Sequence, residues 1–238
     1  MTSFFLSVQE NAIFLLTCIA IFAVLTLIAW AAERIVKVSS RLNTARTVSY
    51  IAMFSAIAAV LMLIEIPLFF APSFYKIDLS EIPILICTFY LGPVAGVVCE
   101  FLKILLKLII KGTTTAYVGD FANFCVGCAL VLPASIIYHA KKTRKMAIIG
   151  LVTGTAVMTT FGSFFNAVYM LPKFSQLFGM PMEVIIGMGT AVNGAINSVS
   201  TLVLFAVVPF NLLKGVVVSL LTLLLYKRVE KLFFRNIA

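Results

Sequence analysis

From Asn11 to Ala32 the chain passes no charged side chain, and further apolar runs recur along it, closed by basic clusters or Gly/Pro turns. Few folds tolerate that pattern. In water, such runs expose contiguous apolar surface and aggregate. A bilayer span, by contrast, needs about 20 mainly apolar residues. The composition agrees, with 62% hydrophobic and 11% charged residues among 238. That length accommodates roughly six to eight spans with short connections and no separate soluble domain. The expected class is an all-α integral membrane protein.

The net charge of +9 does not imply nucleic acid as a partner. Basic residues cluster between apolar runs, as in cytoplasmic loops, rather than forming a binding stripe. The first run, Asn11 to Ala32, is too long for a signal-peptide core and no Lys or Arg precedes it, so it reads as a retained helix. A basic stretch follows, with Arg34, Lys37, Arg41 and Arg46. The second run is Thr47 to Ile64. A polar, proline-marked loop from Phe69 to Ser80 leads to a short helix from Glu81 that ends at Gly92-Pro93. The remaining spans are Pro93 to Ile110, Phe121 to Tyr138, Met146 to Leu171, and Pro209 to Tyr226.

Charge bias selects a single span after Val184. Only then do Arg34–Arg46, Lys141–Lys145 and Lys227–Arg235 share one side of the membrane. Seven spans result, with the amino end outside and the carboxyl end in the cytoplasm of a cell-membrane protein. The outer loops are Phe69–Ser80, Lys111–Asp120 and Leu171–Val208, the last carrying short surface or re-entrant helices.

Polar groups within such spans need a reason. Asn166 lies in the outer half of the sixth span, and Asn211 and Lys214 stand three residues apart on one face of the last. Asn123 follows Asp120 at the start of the fifth. With Tyr75, Lys76 and Asp78 of the first outer loop, these residues suit a pocket of apolar body and a few aimed donors and acceptors. Singly, each asparagine reads as a helix cap or interhelical bond, and Lys214 as a lysine snorkelling to the interface. Jointly, they favour a ligand site. Glu100, Lys103 and Lys107 share a face that reads equally well as an internal ion-pair ladder, and no ligand is assigned to them.

Small residues carry packing. Ala52 and Ala56, like Gly150 and Gly154, permit close helix approach. Cys125-Val-Gly-Cys128 lacks a second pair or a nearby histidine, so it reads as small residues at a helix contact, not a metal or redox site. The single histidine, His139, is expected at the cytoplasmic interface. No GxxxxGK[ST] loop occurs, so the chain does not hydrolyse ATP by itself. HExxH, GxSxG and paired intramembrane carboxylates are likewise missing, against an enzyme, and no matched pair of interrupted helices points to a secondary carrier.

Several segments, taken in order, match a known family: Tyr75-Lys-Ile-Asp-Leu-Ser-Glu-Ile-Pro83; Leu91-Gly-Pro-Val-Ala-Gly96 running into Glu100-Phe-Leu-Lys103; Gly119-Asp-Phe-Ala-Asn-Phe124; Asn166 before Leu171-Pro172; and Pro209-Phe-Asn-Leu-Leu-Lys-Gly215. From Thr47 to Leu232 the chain resembles the riboflavin-binding S components of energy-coupling factor (ECF) transporters. The resemblance implies a six-helix S-component core binding riboflavin near its outer face. Asn166, Asn211 and Lys214 would hydrogen-bond the flavin ring; Tyr75, Ile77 and Asp78 would line the site; Asn123 would neighbour it. It implies docking of a transmembrane coupling subunit on the Ala52/Ala56 face, with two separate ATPase subunits supplying energy and no cofactor on this chain.

Residues 1–46 depart from the family pattern as an extra amino-terminal transmembrane helix and basic linker ahead of the 47–238 core. The functional expectation is a substrate-specificity subunit that captures riboflavin outside the cell for ATP-driven uptake. The rivals are an S component for FMN or another vitamin, an intramembrane lipid-modifying enzyme, and an autonomous channel or carrier.

Overall fold

The computed structural model describes residues 2–38, 44–72, 74–113 and 117–229, with side chains from Leu16 onward. Arg41, Lys231 and Arg235 of the basic clusters lie outside the described residues. The described chain is almost wholly helical. Helix α1 (Thr2–Ile35) precedes α2 (Thr44–Leu63), a two-stranded hairpin β1–β2 (Ile66–Pro67 and Lys76–Ile77), α3 (Glu81–Leu91), α4 (Pro93–Lys111) and α5 (Val118–Lys141). Helix α6 (Arg144–Phe165) passes through a π-helical turn (Asn166–Met170) into α7 (Leu171–Phe178). Then come α8 (Met182–Thr190), α9 (Val199–Leu202), a second π-helical turn (Val203–Val207) and α10 (Val208–Val229).

By length and composition, five helical segments can cross a membrane: Leu16–Ile35, Thr44–Leu63, Val118–Lys141, Arg144–Phe178 and Val199–Val229. Helix α3, of 11 residues, rises only about 16 Å at 1.5 Å per residue. Helix α4 is set apart by Glu100, Lys103 and Lys107, all three buried. Its charged face turns into the bundle because hydrocarbon offers those groups no partner.

The stretch expected as a long loop, Leu171 to Val208, is largely helical and continuous with its flanking spans. Charge placement set the last span to begin at Pro209, and proline, lacking an N–H, ordinarily breaks a regular ladder. Pro172 and Pro209 instead each stand two residues past a π-helical turn, where the ladder has already been reset. Helix α8 is the separate short helix of that stretch.

Helix α1 joins the bundle along α4 and α5. Phe22 meets Phe101 with ring centroids 4.4 Å apart, and Cys125 and Cys128 are buried in the same apolar cluster. Glu33 Oε1 accepts from the Val94 backbone N–H (2.9 Å), satisfying an open donor at the start of α4. Gly92 makes the expected turn between α3 and α4 at φ +111°, a backbone region hostile to other residues. Ala52 and Ala56 lie on an exposed face of α2, whereas Phe54, Ser55, Ala58 and Ala59 point inward. His139 is buried rather than interfacial, its Nε2 2.9 Å from the Thr88 carbonyl oxygen. That carbonyl gives the ring a polar partner inside the bundle, so it need not reach the surface.

Helices α5 and α6 form the closest pair, and the glycines explain it. A Cβ on Gly150 would stand 2.6 Å from the Ala134 carbonyl oxygen, and one on Gly154 2.5 Å from that of Leu130. Replacing Gly154 by Val should therefore cost about 1–3 kcal/mol through overpacking, seen as a lower unfolding temperature in detergent. Gly187→Ala, where a Cβ meets nothing within 4 Å, should leave that temperature unchanged. Equal behaviour of the two variants contradicts this packing.

Candidate functional site

Helices that follow one another in the chain run in alternating directions, so particular helix ends collect at one end of the bundle. The carboxyl ends of α2, α4 and α6 meet the amino ends of α3, α5 and α10, with the β1–β2 hairpin across them. A cavity of about 550 Å³ opens there, within the roughly 300–1,000 Å³ usual for small-molecule sites. The basic residues Lys141, Lys142, Arg144, Lys145, Lys227 and Arg228 sit at the opposite helix ends.

Of the seven residues expected at the site, six line this cavity: Tyr75, Asp78, Asn123, Asn166, Asn211 and Lys214. Lys76 joins them. Ile77 does not: it is buried and pairs with Ile66 in the hairpin register, so it supports the strand rather than the cavity wall.

The asparagines are positioned by different means. Asn166 opens the first π-helical turn. Its Nδ2 donates to the Gly162 carbonyl (2.9 Å) and its Oδ1 accepts from the Tyr75 hydroxyl (2.9 Å), tying the hairpin loop to α6. Asn211 packs directly over Gly162, where a Cβ would approach its Nδ2 to 3.0 Å. That Nδ2 is buried and has no hydrogen-bond partner among the described residues. A buried donor left so costs about 1–3 kcal/mol. Asn123 Oδ1 accepts from Lys103 Nζ at 3.1 Å.

Lys214 is not a snorkelling lysine. Its ammonium is buried 3.0 Å from both Asp78 Oδ2 and Glu81 Oε1. Lys103, fully buried, lies 3.3 Å from the same Glu81 oxygen and 2.6 Å from Glu100 Oε2. Lys107 pairs with Asp120 at 2.6 Å. The polar face of α4 is thus the internal ion-pair ladder, and it runs into the cavity floor. Asp78 also accepts from the Ser80 backbone N–H at 2.9 Å and from the Ser80 hydroxyl. Burial by itself would raise the Asp78 carboxyl, but Lys214, Lys103 and those hydrogen bonds hold it below its ordinary 3.8, at about 2. A carboxyl lowered on folding stabilises the fold above its ordinary value and loses that contribution as pH falls toward the folded one. The Asp78 contribution therefore persists down to about pH 4. Burial raises the Tyr75 phenol, which stays protonated as a donor.

Aromatic rings form the walls. Phe74 meets Tyr75 at 4.6 Å and Phe174 at 6.4 Å between centroids, and Tyr75 meets Phe210 at 5.3 Å. Sequence reasoning missed Glu81, the hub between the two lysines, and the aromatic and methionine wall contributed by α7 and α8. An acidic residue opening a short apolar helix was the available signal for Glu81. The wall had none, since an outer loop with short surface or re-entrant helices does not reveal which of its side chains turn toward a cavity.

Fold and site together define a helical, multi-pass membrane protein with a ligand-sized cavity at one end of its bundle. The family model described as ECF transporter, substrate-specific component, matches residues 46–226. A riboflavin transporter RibU of Staphylococcus aureus (strain TCH60) is 35% identical over 185 residues, covering 78% of this chain and 90% of that protein. The riboflavin transporter FmnP of Bacillus subtilis (strain 168) is 32% identical over 181 residues, covering 76% and 90%. A solved S component of a bacterial ECF transporter superposes with a TM-score of 0.63 at 36% identity, covering 80% of this chain and 98% of that one. This chain belongs to the substrate-specific components of ECF transporters, which are transport proteins rather than enzymes. The family match begins after α1.

The buried charge network should be strongly non-additive. Asp78→Asn leaves Lys214 with Glu81 alone and should cost about 1.5–3 kcal/mol, the scale of a lost hydrogen bond to a charged group. Asp78→Asn combined with Lys214→Met should recover part of that loss in thermal unfolding. Additive losses would mean that the two side chains do not act as a pair.

Proposed function

We propose that this chain is the riboflavin-binding subunit of an ECF transporter, capturing the vitamin at the outer face of the cell membrane for uptake driven by separate ATPase subunits. The observation that carries this reading is a cavity of about 550 Å³ walled by Tyr75, Phe174 and Phe210 and lined by Asn123, Asn166 and Asn211. Isoalloxazine is a flat apolar body with one polar edge, which suits aromatic walls and a few amide partners. Family membership and the riboflavin transporters among the relatives favour the same ligand. Asn211, Asn166 and Asn123 present amides to the ring edge. Tyr75 covers the ring from the hairpin loop, and Asp78 with Lys214 fixes the floor. Ile77 acts behind the wall, as hairpin support.

The basic helix ends opposite the cavity support an orientation with the cavity outside and the carboxyl end in the cytoplasm. The amino end is then outside, ahead of α1. We divide the chain into residues 1–46, an added helix and linker, and the 47–238 core. Helix α1 packs on α4 and α5, leaving Ala52 and Ala56 exposed on α2 for the transmembrane coupling subunit. Two alanines four residues apart allow the close helix approach that docking within a bilayer favours.

Purified protein should quench riboflavin fluorescence at micromolar concentration or below. Asn211→Ala should raise the Kd about tenfold, the scale of one hydrogen bond near 1.4 kcal/mol, with the unfolding temperature retained. Absence of quenching by the intact chain removes riboflavin as the ligand. Separately, Ala52→Trp with Ala56→Trp should abolish co-purification with the coupling subunit while leaving riboflavin affinity intact. Normal assembly of that variant would place docking on another face.

A further inference from the structure

Three charged side chains meet at the solvated rim of the cavity. Glu65 follows α2, Lys76 belongs to β2, and Lys111 ends α4. Glu65 Oε2 lies 2.8 Å from Lys76 Nζ, and Oε1 lies 3.0 Å from Lys111 Nζ. Glu65 and Lys76 both line the cavity. Their side chains are 30% and 43% exposed, whereas those of Asp78 and Lys214 are 5% and 7% exposed. The cavity therefore has a dry end at Asn211 and Lys214, and a wet end at Glu65. Partial burial alone would raise the Glu65 carboxyl, but the two ammonium groups hold it below its ordinary range, so it carries its charge at neutral pH.

We propose that Glu65 is a selectivity residue, disfavouring phosphorylated flavin by engaging both rim lysines with its own negative charge. The inference rests on the flavin reading above, with the ring at the dry end and the ribityl chain toward the wet one. A polyol loses more hydration on burial than a ring whose single polar edge is matched. A terminal phosphate then arrives at the rim with a charge of about −1.5 to −2. It meets the Glu65 carboxylate, whose single negative charge offsets one of the two positive charges that Lys76 and Lys111 would otherwise present to it. The other charges facing the cavity offer it no substitute: Lys107 is paired with Asp120 at 2.6 Å, and Lys214 with Asp78 at 3.0 Å.

The test is a pair of fluorescence-quenching titrations, riboflavin and FMN, on the full chain in detergent at low and high salt. Glu65→Gln should tighten FMN about tenfold relative to riboflavin at low salt, with the gain fading at high salt as the exposed charges are screened. Adding Lys76→Gln and Lys111→Gln should cancel the gain. Glu65→Asp, which keeps the charge, should retain the wild-type ratio. An unchanged ratio in Glu65→Gln, or the same shift in Glu65→Asp, overturns the selectivity role while leaving the flavin reading in place. Failure of the wild-type chain to quench either flavin overturns that reading, and the role of Glu65 with it.

Discussion

Two ammonium groups shared among three carboxylates, inside an apolar bundle, constrain the rest of the structure. Lys214 and Lys103 both reach Glu81 Oε1, Lys214 also holds Asp78, and Lys103 also holds Glu100. Lys103, Glu100 and Glu81 are fully buried, so each is tolerable only while its partners stay in place. Four segments are tied at one point: the loop after β2, α3, α4 and α10. The cavity floor is that tie. Helix α3, short for a bilayer, brings Glu81 to the level of Lys214 because its first residue is the acidic one.

The same tie links the loop above the cavity to the helices below. Asp78 belongs to the loop, yet its carboxylate is anchored on α10. Tyr75, three residues earlier, is anchored on α6 through Asn166. The loop is therefore held at two points on two helices, one charged and one neutral. The Asn166 anchor opens a π-helical turn, a local break in the ladder of the kind that recurs at sites. In the reading proposed above, a ligand beneath the loop contacts the residues that hold the loop down, so binding and loop position depend on one another.

Helix α1 packs against the rest of the bundle along α4 and α5. It covers the apolar face of α4 and α5 and caps the start of α4 through Glu33, at the end of the bundle remote from the cavity. The exposed alanine face of α2 stays clear. An added helix on that side alters the lipid-facing outline of the protein while leaving the cavity and the α2 face as the core provides them.

Much of this was legible in the linear sequence. Hydropathy and charge placement are local properties, so the membrane class, the short α3, the Gly92-Pro93 turn and the grouping of basic clusters opposite the polar residues could be read directly. Asn123, Asn166, Asn211, Lys214, Tyr75 and Asp78 were recognisable because a polar group in an apolar run stands out. What their partners would be was not. Ion pairing joins residues 78, 81, 103 and 214 across the bundle, and no periodicity encodes it. Nor did the sequence disclose that Pro172 and Pro209 lie inside continuous helices, since proline ends a regular ladder and only neighbouring packing sustains a π-helical turn beside it. Composition and pattern thus determined the membrane class and which side chains needed explanation. Only the tertiary structure decided which charges neutralise each other and which side chains meet around the cavity, because those choices depend on distances between helices.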